Sequence, residues 1–163
     1  ARWFNHHYLI KRDEAELAKM FMDELKSKGI DADKDFVKQV IGLVKERAEF
    51  VKDLWEQSSF FFVAPTDYDP KVVKKRWKEN TPAMMAELKE VIAGVDDFKA
   101  ENIKPEIVRF VEEKEVGMGA VMNAFRLVLV GGGFGPDLMQ VAELLGKDEV
   151  LRRIDAGIEN ISR

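Results

Sequence analysis

Apolar positions recur along this chain mostly at helical spacing. A short helix is expected over Trp3 to Lys11. Asp13 then stands as an N-cap before an amphipathic run that turns Ala15, Leu17, Ala18, Phe21, Met22 and Leu25 inward, and Gly29 closes it. Asp33 or Asp35 opens the next helix. There Phe36, Val37, Val40, Ile41, Val44, Ala48, Val51 and Leu54 keep a helical period to about Glu56. Ser58-Ser59 interrupts the pattern. Phe60-Phe61-Phe62-Val63, closed by Pro65, is the one run with strand character, and it predicts a buried connector or a single short strand.

Pro70 opens another helix, through Trp77 to about Glu79. Thr81 is placed to cap the next, with Pro82 at its first position, and the apolar series Met84, Met85, Leu88, Ile92 carries it to Gly94. Asp96-Asp97 reads as a polar hinge. Helical stretches follow around Ile103 to Val116 and Met118 to Val130. After the glycines at 131–133 come a helix from Pro136 to Leu145 and a last one from Lys147 to Ile161. No repeat period is visible. The pattern predicts an all-α protein of two small helical subdomains, residues 1–94 and 95–163, divided near Gly94 to Asp97, with at most one short extended segment near Phe60–Val63.

The chain has 163 residues, 46% of them hydrophobic, enough to build a core and to argue against wholesale disorder. No cysteine is present, which excludes disulfides and thiolate metal sites and fits a reducing cytoplasm. No apolar run approaches the roughly 20 residues of a membrane span. The opening Ala1-Arg2-Trp3-Phe4 puts two aromatics where a terminus is ordinarily polar, so the expectation is a piece of a longer protein. A net charge of −4 argues against broad nucleic-acid binding but leaves room for a local basic face or a few placed arginines.

Candidate chemistry is sparse. His6 and His7, the only histidines, point about 100° apart on a regular helix and cannot chelate one metal together. With no Cys and no carboxylate at Glu-x-x-His spacing, no metal site is expected. Gly131-Gly132-Gly133-Phe134-Gly135-Pro136 lacks the lysine of a phosphate loop, and Pro136 stands where a dinucleotide fingerprint needs glycine. What remains is a turn into a helix with Pro136 at its first position and the amides of Asp137 and Leu138 in the orphan-donor turn. It reads equally as a plain helix–helix turn or as a loop whose bare backbone a partner can approach. Arg126 lies among apolar neighbours, on one helical stripe with Gly119, Asn123 and Val130, and either pairs with one of the 30 acids or faces a partner. Lys71, Lys74, Lys75 and Lys78 recur at i, i+3, i+4, i+7 beside Arg76, either a solvated face or a phosphate-facing strip. Arg47 sits inside Val44-Lys45-Glu46-Arg47-Ala48-Glu49-Phe50 and means little alone. No catalytic constellation is present.

Taken in order, these pieces resemble the C-terminal anticodon-binding domain of bacterial glutamyl-tRNA synthetases, class I aminoacyl-tRNA synthetases. Trp3-Phe4-Asn5-His6-His7-Tyr8-Leu9 resembles the segment where that family's chain leaves its catalytic part. Lys45-Glu46-Arg47-Ala48, then Phe60-Phe61-Phe62, then Tyr68-Asp69 resemble its middle helix and aromatic connector. Gly119 to Arg126, Gly131, Gly135-Pro136 and Leu145-Gly146-Lys147 resemble its last motif, with Ala124 in place of proline, Phe125 of leucine and Val130 of threonine.

The resemblance implies a helical cage that grips the anticodon stem-loop of tRNA(Glu), in a cytoplasmic monomer whose N-terminal catalytic domain holds the ATP and Mg²⁺. This segment itself holds no cofactor. It implies anticodon contacts at Arg47, Arg126, Gly135 and Leu138, the one at Gly135 through backbone alone. Cytosine's O2 and N3 accept from a guanidinium where guanine presents donors, so an arginine at the position of Arg47 favours a final C over a final G. A helical protein–protein interaction module, which the acidic charge favours, and a DNA-binding helical domain are the rival readings.

Overall fold

The computed structural model describes residues 13–48 and 52–161. The helix expected over Trp3 to Lys11, with His6 and His7, lies outside them. Nine α-helices and no strand occur among the described residues: α1 (Glu14–Ser27), α2 (Lys34–Val44), α3 (Asp53–Phe62), α4 (Pro70–Arg76), α5 (Thr81–Ala93), α6 (Ala100–Lys114), α7 (Met118–Val130), α8 (Leu138–Leu145) and α9 (Lys147–Asn160). None is long and apolar enough to cross a membrane.

The chain divides into two compact units, Ala1–Val63 and Ala64–Arg163. The boundary read at Gly94–Asp97 therefore falls inside the second unit, where α5 before it packs on both α6 and α9 after it. The polar pair marks a turn and not a division, because Val95 beside it is buried. The Asp97 carbonyl accepts from the Lys99 amide at 2.8 Å and from Asn102 Nδ2 at 3.0 Å, which starts α6.

In the first unit α2 packs against both α1 and α3. Leu17, Ala18, Phe21 and Leu25 bury one stripe of α1; Val37, Val40, Ile41 and Val44 bury one of α2. Asp33 caps α2, its carboxylate accepting from the Phe36 amide at 3.2 Å. Asp13 occupies the N-cap of α1 without a side-chain bond. Gly29, at φ +78°, turns the chain after α1.

Two expectations fail here. The helix read from Asp33 to Glu56 stops at Val44, tightens into a 3₁₀ turn over Lys45–Arg47 and leaves through an extended Ala48. The apolar period seemed continuous because the separate helices bury Val44 and Leu54 alike. The Phe60–Val63 run is no strand: Phe60 to Phe62 form the last turn of α3, and only Val63 is extended. Ser58 does not break the helix, because its hydroxyl donates to the Leu54 carbonyl one turn back. Leu54, Ser58 and Phe61 then share the buried face at i, i+4, i+7. Phe36 meets the Phe61 and Phe62 rings edge-on, at 6.5 and 5.6 Å between centroids.

The second unit is built round α7, seven of whose residues are buried between Val121 and Val130. α5 and α9 lie against each other, tied by Lys89 Nζ to Asp155 at 2.8 Å and by Lys147 Nζ to the Ala93 carbonyl at 3.1 Å, one of the orphan acceptors ending α5. Thr81 opens α5 but does not cap it. Its hydroxyl is buried and faces upstream, accepting from the Lys78 amide at 2.8 Å, while Asn80 holds the N-cap position.

Candidate functional site

α7 ends at Gly131, whose φ of +91° is left-handed. Only glycine suits this position sterically as well: a Cβ would stand 2.9 Å from Pro65 Cβ and 3.1 Å from the Asp67 carbonyl oxygen. The segment before α4 thus lies directly on the end of α7. The Gly131 carbonyl accepts from the Asp69 amide at 2.9 Å, and Asp69 in turn caps α4 by accepting from the Lys71 amide at 2.9 Å. A Cβ on Gly133 would touch Val72 of α4 at 3.6 Å. The glycine loop and the lysine-bearing helix are therefore neighbours.

Arg126, one turn before the end of α7, is half-buried and donates from Nη1 to the Phe134 carbonyl at 2.9 Å. The helical stripe predicted its emergence beside the loop. The rest of that stripe is not a polar seam, because Asn123 Nδ2 bonds its own helix at the Gly119 carbonyl, 2.8 Å away, and Val130 is buried. Gly135 has φ +111°, which no side-chain-bearing residue adopts easily, and is half-buried; the Leu138 side chain is buried. Arg126, Gly135 and Leu138 all belong to this α7–loop–α8 segment.

The start of α8 differs from expectation. The helix begins at Leu138, not Pro136, and Asp137 is its N-cap, with the carboxylate accepting from the Gln140 amide at 3.0 Å. An acid already occupies that helix end, which disfavours a phosphate there.

Lys71, Lys74 and Lys75 are exposed on α4. The helix ends at Arg76, so Lys78 lies past it and does not extend the strip. Its ammonium instead bonds the Lys74 carbonyl at 3.1 Å. Arg47 is in the first unit, exposed at the end of the 3₁₀ turn. Beside it, Lys45 Nζ pairs with Glu14 Oε1 at 2.5 Å.

The buried arginine is one that sequence reasoning missed. Arg153 is 3% exposed, bonds Glu149 through Nε at 2.8 Å and donates from Nη1 to the Leu129 carbonyl at 2.7 Å. Leu129 is in the last turn of α7, so this cation satisfies an orphan carbonyl at the negative helix end. Burial lowers the Arg153 pKa from its ordinary value, against the hydrogen bond and charge of Glu149. Burial likewise raises Tyr68, against the attraction of Arg153. The signal was available: position 153 is three after buried Val150 and four before buried Gly157, with Glu149 one turn earlier. Arg153 holds the end of α7, and hence the glycine loop, from behind.

A cleft of about 660 Å³ lies along α6 and the start of α8, lined by charges of both signs, among them Glu101, Lys104, Arg109 and Asp137. Among the described residues no group of three His, Cys, Asp or Glu is placed to hold a metal ion.

Residues 15–158 match the family model described as an anticodon binding domain. A glutamate–tRNA ligase of Phocaeicola vulgatus is 49% identical over 158 residues, which are 97% of this chain and 31% of that protein. That of Flavobacterium psychrophilum is 45% identical over 160 residues, 98% of this chain and 32% of the relative. The crystal structure of a glutamate tRNA ligase from Elizabethkingia meningosepticum in complex with its amino acid superposes with a TM-score of 0.88 at 40% identity, covering 99% of this chain and 32% of that one. The chain spans about a third of the length of these relatives.

Proposed function

Because the chain belongs to the anticodon binding domain family, we propose that it is the anticodon-reading part of a glutamate–tRNA ligase and binds the anticodon stem-loop of tRNA(Glu). The observation that carries this is the match of 97% of the chain to a glutamate–tRNA ligase at 49% identity. In this reading the rest of the protein, a catalytic domain continuous with this chain, binds ATP and Mg²⁺ and attaches glutamate. The protein works as a cytoplasmic monomer.

Each unit supplies candidate contacts of its own. Arg126 and the backbone at Gly135 face loop bases, supported by their adjacency through the Phe134 carbonyl. Leu138 is buried at the first position of α8 in the same segment. Arg47 is exposed on its turn, and its forked donors suit the two acceptors of cytosine and oppose the donors of guanine. Lys71, Lys74 and Lys75 face backbone phosphates, with Lys78 a lesser contributor because it is engaged at the end of α4.

The test is a salt-titrated binding assay of this chain against the tRNA(Glu) anticodon stem-loop and a duplex DNA of equal length. Stem-loop binding should fall with salt at a log–log slope of roughly −0.7 to −0.9 per phosphate contact, and exceed duplex binding at least tenfold. Equal affinity for the two, or no binding to the RNA, overturns the proposal.

A further inference from the structure

A single exposed apolar side chain needs no explanation by itself; Phe134 is set apart by how it is held. It is 49% exposed, while Phe21, Phe60, Phe61, Phe110 and Phe125 are buried. Its carbonyl is bonded by Arg126, and its ring rests on Gly132, where a Cβ would stand 3.0 Å from both Cδ1 and Cε1. Gly132 supplies a flat, side-chain-free seat, and Gly135 at φ +111° turns the chain away immediately after the ring. The phenyl group thus has one face seated on the loop's own backbone.

Cations stand on the elements that adjoin it. The Arg126 guanidinium bonds the carbonyl of Phe134 itself, and the adjoining Gly133 lies against Val72 of α4, the helix that exposes Lys71, Lys74 and Lys75. A protein-binding patch would surround the ring with further apolar area. An aromatic face beside cations is how single-stranded nucleic acid is held, the ring taking a base and the cations its backbone.

We propose that Phe134 is a stacking platform for one unpaired base of the RNA loop, with Arg126 as the positioning residue that presents it. The proposal rests on the reading that this chain binds an anticodon loop, and it assigns the loop's one exposed ring a role that backbone readout at Gly135 does not cover. Stacking is tolerant of base identity because every base has a π-face, so Phe134 supplies affinity while hydrogen-bonding groups supply selection.

The experiment titrates this chain and its Phe134→Ala, Phe134→Leu and Phe134→Trp variants against the tRNA(Glu) stem-loop. 2-Aminopurine replaces each loop base in turn, and a fully paired RNA of the same stem is the control. Phe134→Ala and Phe134→Leu should weaken stem-loop binding about fivefold to 150-fold and abolish the fluorescence change at one loop position. Phe134→Trp should keep both, and affinity for the paired RNA should stay constant throughout. Full affinity in Phe134→Leu would show that apolar area, not an aromatic face, is what counts. An unchanged Phe134→Ala, or an equal loss on the paired control, overturns the platform equally, with the functional reading left standing. A wild-type chain that does not prefer the stem-loop over the paired RNA removes the functional reading and the platform together.

Discussion

Gly157 of α9 lies directly against Val128 of α7: a Cβ at residue 157 would stand only 3.0 Å from Val128 Cβ, and nearer still to its Cγ1. Both residues are buried, so neither helix can give way into solvent. Gly157→Ala should therefore destabilise the chain by about 1–3 kcal/mol, although alanine is the better helix former by about 1 kcal/mol. Urea unfolding of Gly157→Ala, Val128→Ala and the double variant checks this. The double variant should be more stable than the sum of the singles predicts.

Arg153 is tested by deletion. Arg153→Ala strands the Leu129 carbonyl in the interior and leaves Glu149 only its exposed partner Arg152, a loss of about 3 kcal/mol. Arg153→Met keeps the packing of the stem and should lose less. Equal stability of both variants with the wild type would mean that the end of α7 does not depend on this contact.

Glu24 offers a pH signature. Among the described residues its Oε2 is a buried atom with no hydrogen-bond partner. Burial raises the carboxyl above its ordinary 4.5, partly opposed by Lys28. The folded state thus favours the protonated form. Stability from this group is present below pH 4.5 and is lost as pH rises through the higher folded value. Glu24→Gln should stabilise the chain at pH 7 by about 0.5–1 kcal/mol, the low end for an unsatisfied group because the residue is half-exposed. The gain should vanish at pH 4, measured by thermal unfolding at both values.

The lysines make a graded prediction. Alanine at Lys71, Lys74 or Lys75 should each flatten the salt dependence of RNA binding by roughly 0.7–0.9. Lys78→Ala should change it least, since that ammonium is engaged by the Lys74 carbonyl. Four unchanged slopes return the strip to the role of a solvated face.

For Arg47, exposure on a short turn predicts a variant that folds normally, within about 0.5 kcal/mol of wild type. Arg47→Gln should narrow the preference for stem-loops ending the anticodon in C over those ending in G by about 1–3 kcal/mol, or five- to 150-fold. The ratio of the two dissociation constants is the measurement. If it does not move, Arg47 is no reader.

Helix positions were legible because the apolar period is a local property, and Gly29, Gly94 and Gly131 mark ends the structure keeps. Arg126 reached the loop as its stripe required. The errors arose where a residue's role depends on a distant partner. Val95 looked like linker because only its burial shows otherwise. Phe60–Phe62 looked like strand because three aromatics mask a helical period that needs buried Ser58 to complete it. Lys78 counted as helical because Trp77, which leaves the helix at ψ +94°, carries no breaker signature. Arg153 went unnoticed because its second acceptor, Leu129, is 24 residues away.

The Asp137 cap on α8 separates two tasks that RNA-binding surfaces often combine. A helix end occupied by its own carboxylate offers phosphate no net attraction, so on the proposed reading the loop before it contributes to recognition without drawing on counterion release. Ionic strength then acts within this unit through α4 and Arg126 and not through this helix end. Raising it should shorten the residence of every RNA alike, while the ranking among loop sequences stays fixed. On the proposed reading, fidelity at this surface is thus buffered against the ionic composition of the cell even as occupancy follows it.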